Sequence, residues 1–359
     1  MKGIYLSVLM SVMELFIVSE APGQTSQQQQ TQQLNNRQRA RQPQQPVQQV
    51  IPNPNANLFP GHDPVMIKQD SVYYLFTTGG GVASSTDMKN WKRERPVFDK
   101  PPEWITQDMI PGFRGGGYWA PDIQYVNGTY YLYYSYSAFA KNTSVIGVAT
   151  NKTLHPADTN YKWVDHGLVL QSIPNRDMWN AIDAQLVMDG RQGWLVFGSF
   201  WDGIKMVKLN PDLISIAKPE VWYTLARQPR SFSLDDTDPG DGTIEGAFIF
   251  KRFQYWYLFV SVDYCCRGVN SDYKVLVGRS RNVEGPYVDK DGKLLSKGGG
   301  TLVAQGNEYW SAVGHSAHYT FDGKTYIVMH GYDKLDNGRS KIIIREMKWD
   351  RSEWPSIEL

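Results

Sequence analysis

The sequence predicts an all-β protein, a five-bladed β-propeller, on three observations. Five segments each open with an ionisable residue and lead to an aromatic, β-branched cluster typical of a strand. The lead residues follow one another at intervals of about 60 to 70 residues, and self-similarity on this scale indicates a radial or stacked array. The chain has 359 residues, 41% of them hydrophobic and 13% aromatic, which suffices for a large core. Five units of four strands make a propeller.

Each segment has the same internal order: a strand, a polar turn and a second strand. In chain order they are HDPVMIKQDSVYYLFT, APDIQYVNGTYYLYYS, AIDAQLVMDGRQGWLVFGS, TIEGAFIFKRFQYWYLFVS and VGHSAHYTFDGKTYIVMHG, with the lead residues Asp63, Asp122, Asp183, Glu245 and His315. The innermost strand of every propeller blade lines the central channel. We therefore expect the five lead residues to face one shared space.

The N-terminus is predicted to lie outside the propeller. Residues 1–23 combine Lys2, an apolar stretch and a small-residue end at Ala21-Pro22-Gly23, the pattern of a signal peptide. Residues 24–56 are rich in Gln and have no apolar periodicity, so they are predicted to form a disordered linker. The folded domain is expected to span residues 57–359, in a secreted or periplasmic protein.

The charge balance limits the classes of partner. Lys plus Arg number 37 and Asp plus Glu number 36, without a basic stripe, which argues against nucleic acid and against an anionic membrane surface. No membrane insertion is expected either, because the N-terminal apolar run is too short and too charged for a span. A neutral ligand fits better, with Trp and Tyr side chains as stacking platforms. Most of these aromatic residues are expected in the blade cores, and the protein is expected to be a monomer.

The two cysteines, Cys265 and Cys266, are adjacent, which excludes a disulfide framework. We expect two packed thiols on a loop after the second strand of the fourth blade. The alternative is a strained vicinal bridge, which an oxidising export compartment favours.

Four of the five lead residues are acids in largely apolar strings, where an ionised carboxylate is costly without a partner or a function. Glycoside hydrolysis needs two facing carboxylates, one that protonates the leaving oxygen and one that activates water or attacks. A third acid close to the proton donor raises the donor's pKa. We assign Glu245 as the general acid, Asp63 as the general base and Asp183 as the modulator. For Asp122 we expect the structural role instead, binding backbone amides between blades.

Seven short sequence motifs add to this assignment. In chain order they are HDPVMI, YWAPDI, NAIDAQ, TIEGAF, DYCCRGVNSDY, VGRSRNVEGPY and GGGTLV. Together they resemble glycoside hydrolase family 43, in particular its endo-1,5-α-L-arabinanases, over roughly residues 57 to 355. The resemblance implies a five-bladed propeller that cleaves α-1,5-linked arabinan by inversion, with its base, modulator and acid motifs at Asp63, Asp183 and Glu245. It also implies a cation, often calcium and held largely through water, at His315. His318 is a weaker candidate, because an odd offset in a strand turns it to the other face.

The resemblance further places Trp119 near the cleaved sugar, and Asn180, Ser199 and Trp201 in the substrate groove. The glycine-rich loop of residues 113–118 is expected to border a subsite. Endo action is expected; an exo-acting arabinofuranosidase or a β-xylosidase on the same fold is the nearest alternative. A non-catalytic carbohydrate-binding propeller is the alternative of another class, since fold alone does not fix function. A protein-interaction propeller would leave the three acids unexplained.

Overall fold

The computed structural model describes residues 52–231 and 233–359. The predicted signal peptide and all but the last residues of the Gln-rich segment lie outside these residues. Within them the chain is almost entirely β-structure with three short 3₁₀ helices, at Gly268–Asn270, Leu295–Lys297 and Lys334–Asp336. The strands are β1 (Val65–Gln69), β2 (Val72–Thr77), β3 (Gly81–Ser85), β4 (Lys92–Arg93), β5 (Trp119–Val126), β6 (Thr129–Tyr136), β7 (Ser144–Asn151), β8 (Val164–Ser172), β9 (Gln185–Asp189), β10 (Gln192–Phe197), β11 (Ile204–Lys208), β12 (Trp222–Ala226), β13 (Ile244–Arg252), β14 (Tyr255–Val262), β15 (Lys274–Ser280), β16 (Thr301–Ala304), β17 (Trp310–Phe321), β18 (Lys324–Asp333), β19 (Arg339–Glu346), β20 (Lys348–Trp349) and β21 (Pro355–Ser356).

Strands β1 to β19 form five successive antiparallel meanders, and β20 and β21 pair separately. Four sheets have four strands each, in the orders β1-β2-β3-β4, β5-β6-β7-β8, β9-β10-β11-β12 and β13-β14-β15-β16, and the fifth contains β17-β18-β19. These are the five blades, so the predicted five-bladed β-propeller is confirmed. No helix of the described residues is long and apolar enough to cross a membrane.

The N-terminal segment completes the fifth blade. Residues 59–61 run antiparallel to β19: the amide of Ile342 donates to the carbonyl of Phe59 at 2.8 Å, and the amide of Gly61 donates to the carbonyl of Ser340 at 3.3 Å. Asn53 already donates to Asp333 at 2.8 Å. The start of the domain thus supplies a fourth strand to its last blade, which closes the ring and leaves fewer free sheet edges.

The second strand of each blade supplies much of the core. Tyr133, Tyr257 and Phe259 on these strands are among the largest fully buried side chains. One core cluster joins side chains of the first two blades, including Tyr74, Phe76 and Tyr134. The prediction that aromatic residues mainly fill the blade cores therefore holds for these strands.

Each innermost strand has one residue in the left-handed region, either near its start or just before it. These residues are Asp63, Ala120, Asp183, Gly246 and His315, with φ of 50°, 36°, 59°, 56° and 51°. The strand register shifts at this point in β5, β13 and β17, as it does at a β-bulge.

The bulge corrects the predicted equivalence of the lead residues. In the second blade the counterpart of Asp63 is Ala120, and Asp122 lies two residues further along the strand. In the fourth blade it is Gly246, which immediately follows Glu245. Because a bulge changes which face successive side chains occupy, Asp122 does not share the position of Asp63.

Candidate active site

A cavity of about 630 Å³ lies where the bulged ends of the inner strands meet. All eight residues predicted to form the site line it: Asp63, Trp119, Asn180, Asp183, Ser199, Trp201, Glu245 and His315. Sequence segments far apart in the chain thus converge on one space, and the three carboxylates belong to three different blades.

Asp63 is surrounded by imidazoles. The Nδ1 atoms of His62 and His315 lie 2.8 and 3.1 Å from its Oδ1. Burial acts to raise the pKa of Asp63, but His62, His315 and His330 together hold that pKa well below its ordinary value. On the other oxygen, the Thr78 hydroxyl donates to Oδ2 at 2.6 Å. Asp63 is therefore held as an ionised carboxylate, the form that a general base requires.

Glu245 is held by a hydroxyl. Ser199 Oγ donates to Glu245 Oε2 at 2.8 Å. Glu245 pairs with Ser261 at the start of β13, directly before the bulge. Ser199, predicted as part of the substrate groove, therefore contacts the proposed acid directly.

Asp183 is tied to the backbone beside Glu245. Its Oδ2 accepts the amide of Gly246 at 3.0 Å. Burial, the Glu245 carboxylate and then Asp63 raise the pKa of Asp183 well above its ordinary value. The hypothesis from sequence places the retained proton on Glu245, whereas this geometry favours a proton on Asp183. Two carboxylates here compete for one proton, and the pH dependence of such sites belongs to the pair.

Gly246 is the one bulge residue without a side chain, and the site requires this. A Cβ at Gly246 would lie 3.1 Å from ring atoms of His315, at a φ of 56° that residues with a side chain rarely adopt. The glycine thus lets the fourth and fifth blades approach while its amide reaches Asp183.

Asp122 has the structural role predicted for it. It is buried, and its Oδ2 accepts the amide of Leu186 in the next blade at 2.9 Å. Gln185, two residues after its own bulge, makes the same kind of bridge to Ile249 in the fourth blade. Asp122 does not line the main cavity and faces a smaller one beneath it.

Comparison with known proteins decides the family. The profile of the glycosyl hydrolases family 43 matches residues 51–355. The chain belongs to glycosyl hydrolase family 43. It is similar to an extracellular exo-α-(1→5)-L-arabinofuranosidase of Cellvibrio japonicus, 46% identical over 300 residues that cover 83% of this chain and 86% of the relative. It is also 40% identical to an extracellular endo-α-(1→5)-L-arabinanase of Bacillus subtilis over 304 residues, 82% of this chain and 87% of the relative. Among solved structures, a Cellvibrio cellulosa α-L-arabinanase complexed with arabinohexaose superimposes with a TM-score of 0.82 at 45% identity, over 84% of this chain and 96% of that one.

The predicted groove residues of this family 43 protein differ in how far they reach the cavity. Trp119 is half-buried at the start of β5 and exposes part of its indole. Asn180 is buried and accepts a hydrogen bond from Ser144 at 2.6 Å. Trp201 is only 2% exposed, and its Nε1 donates to the carbonyl of Asp236. Trp119 is therefore better placed to stack on a sugar than Trp201.

The glycine-rich loop of residues 113–118 does not itself line the cavity, and its place beside a subsite stays a prediction. Its two aromatic ends, Phe113 and Tyr118, are buried in the core between the first two blades. Between these buried ends, residues 114–116 are exposed.

Cys265 and Cys266 are joined in a vicinal disulfide that lines the cavity, so the predicted pair of thiols is wrong. Cys266 adopts a φ of 68°, which the sequence does not reveal. Its amide is fixed by a hydrogen bond to Tyr332 Oη at 2.7 Å.

His315 is the residue that the sequence predicted as a metal ligand. With Nδ1 facing the Asp63 carboxylate, Nε2 is the nitrogen left for a cation. Calcium prefers about six to eight oxygen ligands, so one imidazole would hold an ion that keeps most of its water. His315 lines the large cavity, and the residues fit a largely hydrated cation. His318 does not: it is buried, stacked 3.5 Å from the Phe259 ring centroid, and burial lowers its pKa well below the ordinary value.

Sequence reasoning missed several cavity residues, among them His62, Thr78, Phe139 and Tyr264. His62 precedes the base in the HDP string, which is the one signal that pointed to it. Phe139 is 74% exposed at the cavity rim and carries no sequence signature.

Proposed function

We propose that this family 43 hydrolase cleaves α-1,5-linked L-arabinofuranosyl chains by single displacement, with inversion. The observation that carries the proposal is the meeting of Asp63, Asp183 and Glu245 in one cavity, in a chain whose relatives are named arabinanases and arabinofuranosidases. A non-catalytic binding propeller would have no use for a low-pKa carboxylate opposite a second acid.

Asp63 acts as the base. A carboxylate has about four lone-pair sites. The imidazoles of His62 and His315 face Oδ1, and Thr78 occupies one site on Oδ2. The second lone pair of Oδ2 is left to take a proton from the attacking water.

Glu245 acts as the acid and protonates the leaving glycosidic oxygen. Ser199 orients its Oε2, which leaves Oε1 to carry the proton. Asp183 fixes the backbone at Gly246 beside the acid and competes with Glu245 for one proton, so the two carboxyl groups titrate as a pair. The role of modulator thus combines charge with position.

A neutral polysaccharide suits the surroundings. The cavity walls include Trp119, Phe139, Phe200 and Tyr264, which supply apolar faces for sugar rings. Asn180, Ser199 and Trp201 complete the proposed groove. We propose that the protein acts outside the cytoplasm, secreted or periplasmic, because residues 1–23 have the signal-peptide pattern and both relatives are named extracellular. We also propose that it is a monomer.

Endo cleavage and exo cleavage each have support. Endo action follows from the sequence strings and from the Bacillus subtilis relative, while the Cellvibrio japonicus relative at 46% identity is named exo-acting. Product sizes decide between them: early mixed oligomers indicate endo action, and release of only the smallest sugars indicates exo action.

We propose His315 as the residue that holds a cation, with calcium as the first candidate. The ion would supply positive charge in the cavity. Metal analysis of the purified protein and of His315→Ala, before and after chelation, tests this without relying on activity: the wild type should retain an ion that the variant lacks.

The experiment that tests the function incubates the protein with linear arabinan and follows oligosaccharide sizes and the anomeric form of the new ends by proton NMR. Asp63→Asn and Glu245→Gln are each expected to lose about 100- to 10,000-fold in kcat. Near-normal activity of either variant would refute the mechanism. Products from xylan or aryl xylosides but none from arabinan would favour the β-xylosidase alternative.

A further inference from the structure

A hydrogen-bond chain lies behind Asp63, and the reaction as described does not use it. It contains His62, His330 on β18, Tyr332 on the same strand, and the backbone amide of Cys266. His330 and Tyr332 are buried, whereas His62 lines the cavity. Two of the donors are backbone N–H groups, whose direction is unambiguous, so the proton positions of the chain follow for neutral imidazoles.

The first fixed donor is the amide of Asp63, which donates to His330 Nδ1 at 3.1 Å. That nitrogen must therefore present a lone pair, and a neutral His330 carries its hydrogen on Nε2. His330 Nε2 lies 3.3 Å from Tyr332 Oη, so it donates to the phenol oxygen.

The second fixed donor is the amide of Cys266, which donates to the same Tyr332 Oη at 2.7 Å. The phenol oxygen then accepts two hydrogen bonds and donates its own hydrogen to His62 Nε2 at 2.7 Å, a much shorter contact than that to Cys266 Sγ at 3.9 Å. With Nε2 accepting, His62 carries its hydrogen on Nδ1, the atom 2.8 Å from Asp63 Oδ1.

This proton arrangement also argues against a metal between His62, Asp63 and His330. Their ligand atoms lie within 4.8 Å of one another. However, the Nδ1 lone pair of His330 is already used by the Asp63 amide. His62 is further fixed by stacking on His330, with ring centroids 3.7 Å apart.

From this geometry we infer that His62 and Tyr332 are positioning residues for the base: Tyr332 selects the tautomer of His62, and His62 holds Oδ1 so that Oδ2 faces the water. This inference rests on the proposed role of Asp63 as general base. The carboxyl group would otherwise turn about its Cβ–Cγ bond, and misplacement of a reacting group by about 1 Å can cost around a hundredfold in rate.

The chain offers a matched control. Tyr74 Oη, His155 and Asp70 form a second Tyr-His-Asp series, with both contacts of the His155 ring at 2.8 Å. None of the three lines the cavity. Tyr74→Phe and His155→Ala therefore delete the same chemical groups away from the site.

The test measures kcat and KM on arabino-oligosaccharides for Tyr332→Phe, His62→Ala, His62→Asn and the two controls, each scaled to folded protein by circular dichroism. We expect kcat to fall roughly tenfold to a hundredfold for Tyr332→Phe and His62→Ala, with KM within about twofold. His62→Asn keeps a donor near the position of Nδ1 and should recover part of the loss. Added imidazole should partly restore His62→Ala, because the deleted ring faces the cavity.

Equal behaviour of the site variants and the controls would overturn the inference, as would a loss confined to KM or one that neither Asn nor imidazole restores. The activity of Asp63→Asn distinguishes a failure of this inference from a failure of the proposed function. If that variant is inactive while His62→Ala and Tyr332→Phe are normal, only the positioning role fails. If Asp63→Asn is active, the proposed base itself is wrong.

Discussion

Asp122 makes the stability of this propeller depend on pH, and Asp122→Asn should remove that dependence. The side chain is 1% exposed, and Oδ1 has no hydrogen-bond partner among the described residues. Burial raises the pKa of Asp122 to about 7, although the amide of Leu186 acts in the opposite direction. The folded protein therefore binds a proton at Asp122 more tightly than the unfolded chain does.

The direction and size of the pH effect on stability follow from this difference in proton affinity. A raised pKa contributes stability that is fully present below the unfolded value, near 3.8, and is lost as the pH rises through about 7. A difference of about 3 pKa units corresponds to about 4 kcal/mol at most. Between pH 5 and pH 8 the expected loss is about 2 to 3 kcal/mol.

Asn has no titration in this range, and its Oδ1 can still accept from Leu186. Urea unfolding followed by Trp fluorescence should show that the wild type loses about 2 to 3 kcal/mol more than Asp122→Asn between pH 5 and pH 8. Other titrating groups are common to both proteins and cancel in the difference. Glu103→Gln, at a side chain that is 92% exposed, is the control and should follow the wild type. Parallel curves for wild type and Asp122→Asn would refute the argument.

Three further predictions concern a buried ion pair in the fifth blade and two side chains beside the proposed acid. Lys341→Met should cost about 3 to 5 kcal/mol in urea unfolding because it leaves the fully buried Asp333 carboxylate without its 2.7 Å partner, whereas Lys348→Met, at an exposed pair, should cost at most about 1 kcal/mol. Ser199→Ala removes the donor to Glu245 and should lower kcat about tenfold with little change in KM; an unchanged kcat contradicts the assigned contact. Asp183→Asn keeps an acceptor for Gly246 but removes the carboxyl group that competes with Glu245 for one proton, so the basic limb of the kcat/KM profile should move to lower pH. A limb that stays in place counts against the modulator.

The fold could be predicted because each blade repeats the same local pattern. Runs such as YYLYY and YWYLFV are rich in residues that favour half-buried strands, and their spacing indicates blades. The register at the inner strand could not be predicted, because the left-handed bulge is a backbone event. Ala120 takes a φ of 36° without being Gly, Asn or Asp, so composition gives no warning. One unrecognised bulge is enough to align Asp122 wrongly with Asp63.

The acids of the site were predictable for a related reason: a carboxylate in an apolar string needs a function or a partner. Their partners were not. Thr78 follows the second strand of the first blade, and His330 and Tyr332 come from β18, more than two hundred residues from Asp63. Only the closed ring brings these residues together. The disulfide was missed because the left-handed turn at Cys266 lies where the closed ring brings this residue against Tyr332.

The closure of the ring and the environment of the base therefore depend on one strand. β18 carries His330 and Tyr332 on the way to Asp333, whose carboxylate pairs with Lys341 and accepts from Asn53 at the start of the domain. The N-terminal strand segment, residues 59–61, lies immediately before His62 and Asp63, and its pairing with β19 fixes where those two residues enter the cavity. A propeller must hold its first and last blades together to exist as a ring. In this chain the hydrogen bonds that do so also determine the orientation of Asp63, because the junction of the first and fifth blades supplies His62 from one side and His315, His330 and Tyr332 from the other.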